Sequence, residues 1–420
     1  MLDLKFIREN SDTVKAGLAK KKTNVDIDQI VNLDEKRREI IRNVEKLKAE
    51  KNAVSGEIAK KKKAGEAADE VIAKMRSLGD QITALDQELS QIEADIYNLQ
   101  IWIPNLPHES VPVGDESNNV LVREWGEIEK RAFKVLPHWE IGEKLGILDL
   151  EAATRISGSG FYLLKGLGAR LQRALVAYML DTHTADGFLE ITAPYIVNEE
   201  TMFGTGQLPK MAEDMYKTAA EDMYLIPTAE VSITNIYKQQ ILEEKELPVK
   251  MVGHSPCFRR EAGAAGKDTR GMIRVHQFDK VEMVKIVEPE KSYDELETLT
   301  NQAEKILQGL KIPYRVLTLA SQDLSFAAAK CYDLELYAYG VEKYLEISSV
   351  SNFEDFQARR MNCRYRNSEK KVVFPHTLNG SGVALARLIP AILENYQNSD
   401  GTVTVPEVLI PYMGGVEIIG

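Results

Sequence analysis

Residues 256–282, PCFRREAGAAGKDTRGMIRVHQFDKVE, gather arginines, carboxylates and an aromatic ring into one stretch. CFRRE and VHQFDKVEMV read as antiparallel strands joined by a glycine-rich loop that carries Lys267, Asp268, Arg270 and Arg274. Side chains alternate along a strand, so Phe278, Lys280 and Glu282 share one face, while Val281 and Met283 share the other. Arg259 and Glu261 share a face on the first strand. Paired, the strands offer an arginine, two carboxylates and a ring on one surface, a floor suited to a phosphate and a flat base. A solvated hairpin crossed by surface ion pairs would need no ligand and is the plain alternative.

Three other stretches carry groups of the same kind. In LEISSVSNFEDFQARR, Glu346 and Ser349 stand three apart near the end of a strand-like run. HTLNGSGVALARLIPAILENYQ reads as a strand running into a helix, with Arg387 on its first turns; alone, such an arginine reads as a snorkelling surface residue. Thr228, Ala229 and Glu230 (TAE) suit a helix N-cap. The chain has no GxxxxGK[ST], its glycines 158, 160, 166 and 168 do not form GxGxxG, and no HIGH or KMSKS peptide is present.

The elements that must hold these groups come from a chain of 420 residues, 44% hydrophobic, with net charge −11. That length allows more than one domain and a sizeable core. The first residues, MLDLKFIRENSD, are charged throughout, and no apolar run approaches the about 18 residues of a membrane span, so a soluble cytoplasmic protein is expected. Cys257, Cys331 and Cys363 are too few and too dispersed for a disulfide framework or a CxxC site and read as reduced thiols. The acidic balance argues against indiscriminate nucleic-acid binding and leaves room for a local basic cluster.

A short helix is expected from Asn10 or Ser11 to the run Lys20, Lys21, Lys22. Then Ile30, Leu33, Arg37, Ile40, Val44, Leu47, Lys51, Val54 and Ile58 step by threes and fours. Val71, Met75, Leu78, Ile82, Leu85, Leu89, Ile92, Ile96 and Leu99 repeat that spacing. The break at 60–66 is short enough to force an antiparallel helical hairpin, an arm about 50 Å long at about 1.5 Å per residue. Its first helix is basic, with Lys36, Arg37, Arg38, Arg42, Lys46, Lys48 and Lys51, and its second mostly acidic. Such a stripe can follow a phosphate backbone, or be a solvated face or dimer zipper. Trp102, Pro104, Pro107, Pro112 and Gly114 mark a linker over 101–118, separating a domain at 1–100 from one at 119–420. In the second, helices are expected near 137–145, 168–185, 228–240 and 292–310, and strands near 188–194, 249–258, 275–284, 314–317, 330–337, 344–351 and 359–366. Helices between hairpin-like strands indicate an α+β fold on a mixed, mostly antiparallel sheet flanked by helices.

FRREAG, the GKDTRG loop and RVHQFDKVEM resemble motif 2 of the seryl-tRNA synthetases, class II aminoacyl-tRNA synthetases, and the resemblance extends over essentially the whole chain. It implies ATP-dependent attachment of L-serine to tRNA(Ser), and to tRNA(Sec) where one exists, through a seryl-adenylate, by a homodimer using Mg2+ with ATP. The coiled-coil arm would hold the long variable arm of the tRNA by shape, through Arg38, Arg42 and Lys46, while Lys267 and Arg270 meet its acceptor end. Arg259 would grip the α-phosphate and the amino acid carboxylate together, which suits its planar fork. Glu261 would accept from the adenine amino group and Phe278 stack on the base, with Arg260, Ile347 and Ser348 completing the ATP site. Glu346 and Ser349 would hold the metal, since magnesium keeps most of its waters and takes one or two protein oxygens.

The stretch from His376 resembles motif 3 and puts Arg387 at the γ-phosphate. Thr228, Ala229, Glu230, Arg259, Glu282 and Ser381 would receive serine, its α-ammonium on Thr228 and the carbonyl of Glu230. GFLEITAP, 187–194, resembles the dimer-forming motif 1, and GTGQLPKM, 204–211, a loop that covers the substrate. Ala386 replaces a common glycine, Pro390 enters the motif 3 helix early, and Arg260 stands where a small residue is common. Two rival readings are a paralogue that serves another carrier and a non-catalytic RNA-binding scaffold. The scaffold would be expected to have lost Arg259, Glu346 or Arg387, and all three are present.

Overall fold

In the computed structural model, which describes residues 1–262 and 270–420, both heptad seams form long helices. The chain divides into two compact units, Met1–Pro104 and Asn105–Gly420. The first holds α1 (Leu4–Glu9), α2 (Ser11–Lys20), α3 (Ile27–Ala64) and α4 (Asp69–Gln100). Ile40, Val44, Ile82, Ile92 and Ile96 are buried along the seam between α3 and α4, flanked by Leu33, Leu47, Leu85 and Leu89. The cationic interruptions are accommodated by the opposite helix: Arg37 donates to Glu93 at 2.9 Å, and Lys51 lies over Gly79, whose missing side chain makes room. Lys60, Lys61, Lys62 and Lys63, expected in the break, are helical to Ala64, at the end where the helix dipole favours cations. Gly65, in the left-handed conformation at φ 74°, ends the helix.

The second unit is built on eight strands: β1 (Val120–Trp125), β2 (Leu189–Glu190), β3 (Val249–Phe258), β4 (Gln277–Val287), β5 (Tyr314–Thr318), β6 (Lys330–Ala338), β7 (Lys343–Asn352) and β8 (His376–Ala384). Their order across the sheet is β1-β5-β6-β7-β8-β4-β3-β2. Every neighbouring pair is antiparallel except β2 with β3, which matches the expected mixed sheet. Helices α5 (Leu167–Ala185), α6 (Ser292–Gly309) and α8 (Leu385–Asn395) pack apolar stripes on one face, where Val281, Met283, Leu334, Val350 and Leu378 meet them. Among the described residues no helix is long and apolar enough to cross a membrane.

Four local expectations are corrected. Residues 359–366 are not one strand: a short helix, α7 (Phe356–Met361), ends at left-handed Asn362 and only Arg364–Arg366 is extended. The helix expected over 228–240 covers Glu230–Thr234 and then tightens into a 3-10 turn, Asn235–Tyr237. Val231, Ile233 and Thr234 are poor helix formers, and burial of every residue from Glu230 to Thr234 removes the amphipathic pattern. The strand expected over 188–194 shrinks to Leu189–Glu190, with one further bond from the Ile191 amide to the Val252 carbonyl. Finally, CFRRE is extended only through Phe258, and Glu261 turns at φ 51°.

Candidate active site

The sheet face opposite α5, α6 and α8 holds a cavity of about 300 Å³ lined by groups from β4, β7, β8, the end of β3 and the segments 205–211 and 227–230. Phe278, Lys280 and Glu282 enter it from alternate positions of β4, as their spacing requires. One residue pair past the end of β3, the Arg259 amide donates to the His276 carbonyl at 2.9 Å, extending the ladder to the cavity edge. The Arg259 guanidinium lies 5.2 Å from the centroid of the Phe278 ring and donates to the Pro227 carbonyl at 3.4 Å. The turn at Glu261 keeps its carboxylate on the cavity wall, where Arg274 pairs with it at 2.9 Å.

Glu346 and Ser349 should point to opposite sides of a regular strand, yet both line the cavity. A bulge in β7 between Glu346 and Ser348 inserts the extra residue that turns them the same way. A second bulge, in β8, brings Ser381 and Ala384 onto the wall together; inside it Val383, β-branched and buried, is held at φ 100°. That strained residue leads directly into α8, whose third residue, Arg387, donates to the Glu346 carbonyl at 2.5 Å and approaches its carboxylate at 3.4 Å. Pro390 sits inside α8 without ending it.

The polar groups sort by charge. Arg259, Arg274 and Arg387 give the wall a cationic side. Glu282 pairs with Lys280 and accepts from Asn379 at 3.0 Å, and all three are buried. Glu230 is buried beside them and accepts from Gln357 at 2.6 Å. Burial, then the charge of Glu282, pushes its carboxyl up to about 7, between fully charged and neutral at physiological pH. On β6, Asp333 accepts from the Ser349 hydroxyl at 2.7 Å; burial, then Glu346, raises its carboxyl well above the usual range. Two crowded carboxylates and a hydroxyl oxygen are a donor set that a hard divalent cation would relieve. Cations for phosphate, a ring for a base and buried acids for an ammonium group therefore share one cavity.

Residues 1–107 match the seryl-tRNA synthetase N-terminal domain and residues 214–396 the tRNA synthetase class II core domain (G, H, P, S and T). The chain is 54% identical to a serine--tRNA ligase of Carboxydothermus hydrogenoformans over 99% of its length and 98% of the relative's. It is 53% identical to one of Desulfitobacterium hafniense strain DCB-2 over the whole of both chains. The chain belongs to the seryl-tRNA synthetase family. A crystal structure of the seryl-tRNA synthetase from Pyrococcus horikoshii, complexed with ATP, superposes with a TM-score of 0.94 at 40% identity, covering 100% of this chain and 99% of the other.

For this class II aminoacyl-tRNA synthetase, eleven of the residues expected at the site line the one cavity: Thr228, Glu230, Arg259, Glu261, Phe278, Glu282, Glu346, Ile347, Ser349, Ser381 and Arg387. Three expected residues lie off its wall. Arg260, past the end of β3, is exposed and its amide donates to the Asp214 carbonyl. Ala229 is buried in a small core with Ile233, Met251 and Met361, and Ser348 is buried with its hydroxyl on the Ser381 carbonyl at 2.6 Å. Arg270 is exposed and also off the wall, while Lys267 lies outside the described residues. Arg38, Arg42 and Lys46 are exposed at intervals of four along α3, one stripe of a helix.

Residues that sequence reasoning missed surround the candidate site. Asp333, Asn379 and Gln357 bond directly to site side chains. Asp333 stands opposite Ser349 in the β6–β7 register, a cross-strand signal that becomes visible only once the strands are paired. His138, buried, accepts the Met272 amide at 3.0 Å on Nε2 and contacts Glu394 at 2.9 Å on Nδ1, fixing the return of the motif 2 loop. Gly271, at φ 70°, passes so close that an added Cβ would meet His138 Nε2 at 2.0 Å.

Proposed function

We propose that this chain activates L-serine with ATP as seryl-adenylate and transfers the seryl group to the terminal ribose hydroxyl of tRNA(Ser), and of tRNA(Sec) where one exists. The observation that carries this reading is the convergence of Arg259, Arg387, Glu230 and Glu282 on one cavity. Arg259 stabilises the α-phosphate as charge grows on it, and holds the serine carboxylate with the same fork. Arg387 neutralises the γ-phosphate as pyrophosphate leaves. Phe278 and Glu261 hold the adenine. Glu346 and Ser349 would hold Mg2+, with Asp333 behind Ser349, and the ion would neutralise triphosphate oxygens. Thr228 and, in place of the carbonyl expected from the sequence, the buried carboxylate of Glu230 receive the α-ammonium, while Glu282 and Ser381 meet the substrate hydroxyl. Catalysis is positioning and charge neutralisation, with no side chain needed as general base.

Residues 1–100 act as the tRNA-binding domain, 101–118 as a linker and 119–420 as the catalytic domain, within a cytoplasmic homodimer joined through 187–194. Arg38, Arg42 and Lys46 meet the RNA backbone on the arm, and Arg270 with Lys267 meets the acceptor end. Incubating the protein with labelled serine, ATP, Mg2+ and a tRNA(Ser) transcript tests the proposal: label becomes acid-precipitable on RNA. Serine-dependent pyrophosphate exchange with no label on any tRNA would instead mark a paralogue that serves another carrier.

A pH dependence follows. The cationic ammonium group binds well only to ionised Glu230, whose carboxyl stands at about 7 in the empty site. Below that pH the protonated form dominates, so kcat/KM for serine, at saturating ATP, is expected to fall about tenfold for each unit of pH. Glu230→Gln should lose most activity and also lose this acid limb. A flat wild-type profile from pH 5.5 to 8 would remove Glu230 from ammonium recognition.

A further inference from the structure

Gln357 belongs to the FQARR segment, which the assignment of the site leaves without a role. It is the second residue of α7, 1% exposed, and behind the cavity wall rather than on it. Its amide nitrogen donates to the Glu230 carboxylate at 2.6 Å and to the Thr205 carbonyl at 3.1 Å. Its amide oxygen accepts from the Thr377 hydroxyl on β8 at 2.7 Å. A carbonyl can only accept, so Thr205 settles which end of the amide is which. One turn on, Arg360 donates to the carbonyls of Phe203 at 3.3 Å and Leu208 at 2.9 Å. A single short helix thus holds the start, middle and end of 203–208, whose Thr205, Gly206 and Gln207 line the cavity.

We infer that Gln357 is a positioning residue which wires the amino-acid-binding carboxylate Glu230 to the loop 203–208, so that ammonium recognition and placement of that loop depend on one amide. The inference rests on the reading of Glu230 as the ammonium-binding group. Glutamine meets all three partners at once. Glutamate would set a third acid beside Glu230 and Glu282. Methionine or leucine would leave the Thr205 carbonyl and Glu230 without donors and Thr377 without an acceptor. The charged groups that bear on Glu230 from the surrounding elements are Glu282 and Lys280 on β4 and Arg259 beyond β3. Against these, the Gln357 donor favours the ionised carboxylate, so removing it must move the Glu230 titration to higher pH.

The test uses the full chain with Gln357→Met, Gln357→Glu and Thr377→Val, each checked by thermal melting, in serine-dependent ATP–pyrophosphate exchange. Gln357→Met is expected to raise KM for serine about tenfold or more, and Gln357→Glu further, with KM for ATP within about twofold of wild type. In both, the acid limb of kcat/KM for serine moves to higher pH. Thr377→Val leaves the amide in place but unanchored, and should shift limb and KM in the same directions by less; it decides the matter if the Gln357 variants do not fold. An unmoved limb, or KM values for serine and ATP rising together, would make Gln357 a packing residue and overturn the inference. Absence of serine-dependent exchange in the wild type would instead sink the reading of the site on which it rests.

Discussion

Arg259→Ala is expected to lower serine-dependent pyrophosphate exchange by about a thousandfold or more, with little change in melting temperature. The size of the effect follows from position. Arg259 is a cavity cation that lies over Phe278 and acts on buried Glu230, so its loss removes the group that answers growing charge on the α-phosphate and that orients the carboxylate attacking it. Arg259→Lys separates the two contributions. A lysine restores a positive charge but cannot offer two parallel donors to two ligands, so only a minor part of the activity should return. Thermal stability is spared because among the described residues the guanidinium makes one long bond, to the Pro227 carbonyl at 3.4 Å, and its ring contact is peripheral to the main core. Full activity in Arg259→Ala would require another residue to meet the α-phosphate.

Replacing residues 30–97 by a short glycine-serine turn should act on the other half of the reaction. Beyond its base, where Leu4 packs on the seam and Arg8 bonds Asp34 at 2.6 Å, the arm is closed by its own buried isoleucines and its own cross-helix pair of Arg37 with Glu93. The described residues that line the cavity all belong to the second unit. Exchange is therefore expected to stay within about twofold of wild type, while kcat/KM for tRNA charging falls by about a hundredfold or more, as phosphate contacts and shape recognition are lost. Arg38, Arg42 and Lys46 changed together to glutamine should reproduce part of that loss and flatten its salt dependence. Charging that survives the deletion would assign RNA selection to the catalytic unit alone.

Periodicity alone made the arm legible, because a heptad seam depends on local spacing and two long helices with a short break have one compact solution. The β4 face was legible for the same reason: Phe278, Lys280 and Glu282 alternate, and the pleat does the rest. Bulges were not. Nothing in EISSVS announces the extra residue that turns Glu346 and Ser349 together, because a bulge is a property of two paired strands. Resemblance assigned both residues to one site, and both line the cavity, whereas period-two reasoning would have put one of them in the core. Arg260, also assigned through resemblance, lies exposed past the end of β3 and off the cavity wall. Gln357 and Asp333 bond cavity side chains from behind the wall, and residues brought together from over 100 positions apart, as Gln357 is with Glu230, leave no spacing to read. The short helices were misjudged where burial on all sides erased amphipathic contrast, as in Glu230–Thr234.

Pyrophosphate exchange with serine, alanine and threonine, compared under one set of conditions, tests most directly whether buried acids and cations around one cavity make a serine-activating site. A site that pairs Glu282 and Ser381 with the substrate hydroxyl leaves polar groups unmatched when alanine binds, which costs about 10⁴ in kcat/KM where such groups are buried. The expected result is strong exchange with serine, exchange with alanine lower by about that factor, and threonine poorly used because its extra methyl meets the closed wall. Exchange with alanine equal to that with serine, or none with serine, would contradict the account.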